Sequence, residues 1–333
     1  MFTIILDAIF VLASLGFLIL GAEWLMQGAV LIAKKKKISE LVIASTLIAF
    51  GTGLPTIAVN IALVLLSPNG ADAAVGNALG TNFVNIGLGL GIPAFLLTIQ
   101  TKYQVFEKEI PIFLAVTGLL ASFAMDGILN RFEGLIIFVS YLVTLFLMYQ
   151  YSLREKLDSK DSEQVDLDTS TISETSTSSK VYSKAAFLIL VGVILLIGSS
   201  IFLAFMSPKL SRDFGISEYI LGLTIIGIGT SLPMIVTSVK SAYKGYVDII
   251  LGNVFGGTIA NIGLGLGLVA IIKPLTFTAE SVMDNYYFSV LNILVIFGIL
   301  IEMKLLGSNK TLNKASGAVI VLFYLVYLIT KII

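Results

Sequence analysis

The 333-residue chain contains no cysteine and no histidine. That excludes disulfides, thiolate nucleophiles, imidazole acid–base catalysis and metal sites built on thiols or imidazoles. Charge is scarce as well: Asp, Glu, Lys and Arg together make up 13% of the residues, against about 25% in an ordinary soluble domain. The 21 basic and 21 acidic residues cancel, so net charge gives no reason to expect nucleic acid as a partner. What fills the chain is apolar, with 57% hydrophobic residues and a mean hydropathy of +0.99. The class that remains is an integral membrane protein, whose partner is the lipid bilayer. MFTIILDAIF at the start has no basic n-region and no small-residue cleavage site, so the first apolar run is expected to be a retained helix.

The sequence also repeats itself. Gly51, Thr52, Leu54 and Pro55 recur 178 positions later as Gly229, Thr230, Leu232 and Pro233. After a two-residue shortening, Asp72, Gly76, Asn77, Gly80 and Asn85 recur as Asp248, Gly252, Asn253, Gly256 and Asn261. A duplication of this length decides architecture before any helix is assigned.

Apolar runs long enough to cross a bilayer, which takes roughly 20 residues, fall near 4–33, 39–66, 72–97, 109–125, 132–151, 183–206, 217–243, 248–272, 285–302 and 312–331. Five runs in each half mean that the second copy enters the membrane from the opposite side. The expected fold is therefore all-α, ten transmembrane helices as two inverted five-helix repeats, residues 1–151 and 183–333. Sixteen Lys and Arg residues lie in loops 1–2, 3–4, 5–6, 7–8 and 9–10, and only Arg131, Lys209, Arg212, Lys273 and Lys331 lie on the other side. By the positive-inside rule the odd-numbered loops are cytoplasmic and both termini outside, in what is expected to be the cell membrane. Residues 152–182, polar and rich in Ser and Thr, cannot bury a core and are expected to form a flexible cytoplasmic linker. A regulatory or cation-sensing role for the linker's acidic residues is the sharper alternative.

Gly51 to Pro55 sit mid-way along the second run, and Gly229 to Pro233 mid-way along the seventh. Proline lacks a backbone donor and its ring opposes the carbonyl four residues back, so both helices are expected to be interrupted there. Polar backbone at membrane depth survives only when it is buried in protein or lines a cavity, which marks the interruptions as candidate substrate sites. In the third and eighth runs, Thr81 to Asn85 and Gly257 to Asn261 reach the same depth. Broken helices 2, 3, 7 and 8 are thus expected to meet at the midplane. The bland reading is that these Gly, Thr and Asn residues only let helices pack closely.

GTGLP with GNALGTNFVNIGLGLG, and GTSLP with GNVFGGTIANIGLGLG, resemble the two alpha repeats of the calcium/cation antiporter superfamily, which includes the sodium/calcium exchangers. The resemblance spans essentially the whole chain. It implies alternating access, with a bundle of the first and sixth helices sliding against the rest, and sodium and calcium competing for one central cluster. The chain departs from the family pattern at its centre. Where those exchangers carry a Glu after each GTSLP, this chain has Thr56 and Met234, and a position often held by Asp is Asn261. The motif serines have become Gly53, Thr81 and Gly257, and only Ser231 remains.

What is left is a neutral set: the hydroxyls of Thr52, Thr56, Thr81, Thr230 and Ser231, the amides of Asn77, Asn85, Asn253 and Asn261, and carbonyls near residues 50–52 and 228–230. Calcium takes six to eight oxygen ligands, several usually carboxylates, so no confident calcium ligand is assigned. A neutral cage suits sodium or another monovalent cation, although half-helix N-termini after Pro55 and Pro233 would favour an anion and leave the sign open. Glu23 is a candidate accessory acid in the first helix and Met234 a candidate accessory residue. Asp72, Asp248, Glu40 and Glu218 read as helix N-terminal acids, the first two as caps.

The expected function is secondary active cation transport, with no catalytic residues and no cofactor beyond the transported inorganic cation. The alternatives are sodium/calcium exchange through displaced ligands, or a non-transporting binding or regulatory membrane protein that kept the fold. An enzyme is not expected, because no nucleophile, base and orienting group stand together.

Overall fold

The computed structural model describes residues 2–35, 49–100, 103–158, 178–245, 247–306 and 310–332. These fold into α1 (Phe2–Lys35), α2 (Ala49–Leu66), α3 (Gly70–Leu96), α4 (Tyr103–Phe123), α5 (Arg131–Asp158), α6 (Ser178–Phe214), α7 (Glu218–Tyr243), α8 (247–272), α9 (Ala279–Leu306) and α10 (Lys314–Ile332). Seven of them hold segments long and apolar enough to cross a membrane, and Gly53–Leu66 and Ile110–Asp126 are shorter apolar helices. Rows of large apolar side chains stand exposed, including Phe10, Leu12 and Phe17 on α1, Phe187, Leu190 and Ile194 on α6, and Val319, Leu322 and Val326 on α10. Contiguous apolar surface on this scale is stable in hydrocarbon and a liability in water. The protein is a multi-pass integral membrane protein.

The inversion of the repeats is visible in two short strand pairs. Ile99–Gln100, β1, between α3 and α4, pairs antiparallel with Lys310–Leu312, β4, between α9 and α10. Ile128–Leu129, β2, between α4 and α5, pairs with Leu275–Thr276, β3, between α8 and α9. Aligning the repeats turns β1 into β3 and β2 into β4, so each ladder maps onto the other. The two ladders lie at opposite ends of α4, as a two-fold axis in the membrane plane requires.

Helix packing follows the same symmetry. α3 and α8 are the central helices, and the glycines of their NIGLGLG segments let α10 and α5 approach: Gly87 faces Tyr324, and Gly263 faces Tyr141. α1 packs along α6 through Gly21 and Gly192, whose backbones lie so close that a Cβ on Gly21 would meet the Leu196 nitrogen at 2.7 Å. Small residues at such crossings replace the hydrophobic driving force that lipid cannot supply between helices.

Two features differ from the sequence reading. The helices carrying the motifs are continuous through Pro55 and Pro233, and their irregularity takes the form of wider π-helical turns at Asn85–Leu90, Gly222–Ile226 and Asn261–Leu268. A π turn shifts the hydrogen-bond register without exposing a whole row of backbone groups to lipid, and such turns recur at functional sites. The polar segment 152–182 is also shorter than expected, since α5 runs on to Asp158 and α6 starts at Ser178. Residues 152–158 are mostly good helix formers without Gly or Pro, and beyond the hydrocarbon a helix needs no apolar side chains. Residues 159–177, and Glu40 with the start of the second apolar run, lie outside the described residues.

Candidate functional site: a neutral polar cluster between the repeats

α3 crosses α7 with almost no space between backbones. Gly76 and Gly80 face the carbonyls of Tyr219 and Leu223, and Gly222 faces that of Ala73. This approach brings the side chains of the two repeats within hydrogen-bonding reach. Thr81 Oγ1 lies 3.4 Å from Thr56 Oγ1 and 3.2 Å from Thr230 Oγ1. Thr230 donates to Asn77 Oδ1 at 3.1 Å, Asn77 Nδ2 to Asn60 Oδ1 at 2.7 Å, and Asn60 Nδ2 to the Gly265 carbonyl at 2.9 Å. All five side chains are buried. Burying so many polar groups is tolerable only because they satisfy one another.

Two further pairs cross between repeats and are equivalent under the duplication. Asn85 Nδ2 donates to Thr258 Oγ1 at 3.2 Å, and Asn261 Nδ2 donates to Asn82 Oδ1 and to the Ala78 carbonyl, both at 2.7 Å. Two atoms here, Asn82 Nδ2 and Asn261 Oδ1, are buried without a hydrogen-bond partner. In the second repeat, Asn253 Nδ2 donates to Ser238 Oγ at 3.1 Å and to the Met234 carbonyl at 3.2 Å.

Most of the residues expected from the sequence converge here. Ser231 is buried but donates its hydroxyl to the Gly227 carbonyl of its own helix at 2.6 Å. The Thr52 side chain, like that of Asp248, lies outside the described residues. Glu23 does not join the cluster: it is exposed on α1 and accepts from Gln27 one turn away at 3.2 Å. Asp72 is not a cap, since Asn69 occupies that position, and its carboxylate accepts from Thr276 Oγ1 at 3.1 Å. Glu218 does follow a capping serine, Ser217, but is itself buried and accepts from Ser67 and Ser207.

Asn60, Asn82, Ser238 and Thr258 belong to the cluster and were missed. The signal was present: Asn60 aligns with Ser238, and Asn82 with Thr258, at the offsets that align the motifs. Replacing Asn60 with Leu removes the link between Asn77 and the Gly265 carbonyl. It is expected to cost about 1–3 kcal/mol, because the Asn77 amide and a buried carbonyl lose their partners. The thermal midpoint of the purified protein checks this.

Residues 6–150 and 184–333 match the sodium/calcium exchanger protein family, a match that takes in both repeats. The chain belongs to the sodium/calcium exchanger family. Its relatives in that family include the inner membrane protein YrbG of Escherichia coli, 32% identical over 79% of each chain. The sodium/calcium exchanger MaX1 of Methanosarcina acetivorans is 28% identical over 98% of each. Among solved structures, the sodium-calcium exchanger NCX_Mj shares the fold, with a TM-score of 0.62 and 23% identity over 98% of this chain and 99% of that one. Family membership makes this exchanger-like chain a cation antiporter by class and not an enzyme. It also bears on the cluster, which occupies the positions where both alpha-repeat motifs meet.

Proposed function

We propose that this chain is a secondary active antiporter working by alternating access, and that its central cluster carries sodium or another monovalent cation. The observation that supports the choice of ion is the chemistry of the cluster: hydroxyls, carboxamides and carbonyls meet there without a carboxylate. Among the described residues the buried acids are Asp7, Glu218 and Asp284, and each is engaged elsewhere, by Lys209, by Ser67 and Ser207, and by Tyr219 and Lys331. The desolvation cost of an ion rises with the square of its charge, so a neutral cage compensates a single charge far better than a double one. Oxygen dipoles and the carbonyl ends of helix segments coordinate monovalent ions in other transporter folds. MaX1 is a sodium/calcium exchanger; calcium transport here would need negative charge from outside this cluster. The distribution of Lys and Arg supports outward-facing termini and a cytoplasmic central segment.

The test is the thermal midpoint of the purified protein in detergent, titrated with sodium, potassium, lithium, calcium and magnesium chlorides at constant ionic strength. Sodium is expected to raise the midpoint with the logarithm of its concentration above the dissociation constant, with a stabilisation of about 2.7 kcal/mol at a hundred times that constant. A rise in the midpoint that begins at micromolar calcium would overturn the monovalent reading, and indifference to every cation would overturn cation binding altogether.

A further inference from the structure

The buried acids among the described residues, Asp7, Glu218 and Asp284, are not held alike. Asp7 on α1 has Lys209 Nζ at 2.6 Å. Asp284 on α9 has Lys331 Nζ at 2.8 Å and the Tyr219 hydroxyl at 2.7 Å. Glu218, on the first turn of α7, has no Lys or Arg within ion-pair distance among the described residues. Its Oε2 accepts from Ser67 Oγ, just past α2, at 3.2 Å and from Ser207 Oγ on α6 at 3.5 Å. A hydroxyl that donates to a carboxylate stands about 2.5–2.7 Å from it, so both contacts are long for the purpose. The helix dipole does not make up the difference, since the start of a helix offers only about half a positive charge. Glu218 is 8% exposed, and a carboxylate so far out of water calls for a positive partner.

The spacing that is long for hydrogen bonds suits a cation. Hard cations of the size of calcium or sodium hold oxygen at about 2.3–2.6 Å, so two ligands at right angles stand roughly 3.3–3.7 Å apart. Ser67 and Ser207 are themselves buried, and they bring hydroxyl oxygens to the carboxylate from two other helices. α6 adds a backbone oxygen nearby: Pro208 has no N–H, which leaves the Ala204 carbonyl, one turn back, without its helical donor. A single carboxylate balances one positive charge, whereas calcium usually takes several.

We infer that Glu218, Ser67 and Ser207 form a second cation site, which takes one sodium-sized monovalent cation where α6 meets α7, apart from the central cluster. Glu218 precedes Thr230 on α7 by twelve residues, about 18 Å along the helix axis, so the two sites share no ligand. The inference rests on the cation reading above for its ion and takes its ligands from elsewhere. The site lies at the end of the bundle that the Lys and Arg distribution places outside, between the α1–α6 pair and the other helices. It supplies the formal negative charge that the centre lacks, and holds an arriving cation before the neutral cluster receives it.

The experiment is equilibrium binding of radioactive sodium to purified full-length wild type, Glu218→Gln and Thr81→Val. Glutamine keeps the size of the side chain and an acceptor oxygen for the serines, so a purely structural role predicts unchanged binding. Glu218→Gln is expected to bind one sodium fewer per chain than wild type. The double variant Ser67→Ala/Ser207→Ala is expected to weaken that same sodium on the order of tenfold. Thr81→Val, in the central cluster, is expected to retain the sodium that Glu218→Gln loses. Wild-type stoichiometry and affinity in Glu218→Gln would overturn the outer site and leave the central reading intact. A sodium lost in Glu218→Gln with none lost in Thr81→Val would uphold the outer site and sink the central one. No sodium on wild type would overturn both. If Glu218→Gln does not elute as a monodisperse peak, the serine variant decides, and unchanged binding there overturns the outer site.

Discussion

Replacing Lys331 with methionine is expected to destabilise the protein by about 3–5 kcal/mol, because it strands a carboxylate in the interior. Asp284 on α9 is fully buried, and its Oδ1 lies 2.8 Å from Lys331 Nζ near the end of α10. Its other oxygen accepts from the Tyr219 hydroxyl on α7 at 2.7 Å. Lys331 also meets Glu280 Oε1 at 3.1 Å, but that carboxylate is half-exposed and water can take over its solvation. The loss thus falls on Asp284. The double variant Asp284→Asn/Lys331→Met, which removes both charges, is expected to recover most of the stability, since a buried pair is often close to neutral against uncharged replacements of similar size. Thermal midpoints of the two single variants and the double variant close the cycle. A Lys331→Met protein as stable as wild type would mean that Asp284 does not depend on Lys331 for its counter-charge.

The second large effect comes from two glycines that the duplication makes equivalent. Gly76→Ala is expected to cost upwards of 1–3 kcal/mol, because its methyl would be driven into the Tyr219 carbonyl and, 3.0 Å away, the Leu223 nitrogen. Backbone cannot rotate aside as a side chain can, so α3 and α7 must separate. The contacts of Thr230 with Thr81 and Asn77 should lengthen with them and sodium binding should fall. Gly252→Ala, at the matching position of α8, meets nothing within 4 Å. It is expected to be neutral or to stabilise by up to about 1 kcal/mol through helix propensity. Midpoints and sodium affinities measured side by side decide the matter; equal effects of the two substitutions would contradict the asymmetry of the crossing.

That pair shows where the sequence stops being readable. Composition, hydropathy and the repeat carried the membrane class and the inversion, because each depends on the pattern along one chain. They could not show that Gly76 touches backbone and Gly252 does not, since that depends on which helix lies opposite. Lys331 read only as a marker of topology, for its partner Asp284 is on another helix and lies outside both motifs. Asn60 and Ser238 were within reach, being polar residues aligned across the repeat, one turn beyond Thr56 and Met234. Glu23 misled for the opposite reason: an acid in an apolar run draws attention, yet one helical face is lipid- or solvent-facing, and this residue lies on it. The interruptions expected at Pro55 and Pro233 are absent, and the helices widen instead at Asn85–Leu90, Gly222–Ile226 and Asn261–Leu268, because proline and glycine mark a disturbed helix without saying where it gives way or whether it unwinds or merely widens.

The exchanged strands have a consequence for how the molecule is built. β1 finds its partner in β4 and β2 in β3, so neither half of the chain pairs its own strands, and among the described residues no other sheet exists. A half expressed alone would present two strands with open edges and a polar cluster missing the bonds that cross between copies, from Thr230 to Asn77, Asn60 to the Gly265 carbonyl, Asn85 to Thr258 and Asn261 to Asn82. The repeats are therefore not modules joined by a tether. They are interlocked complements that must assemble as one cooperative unit.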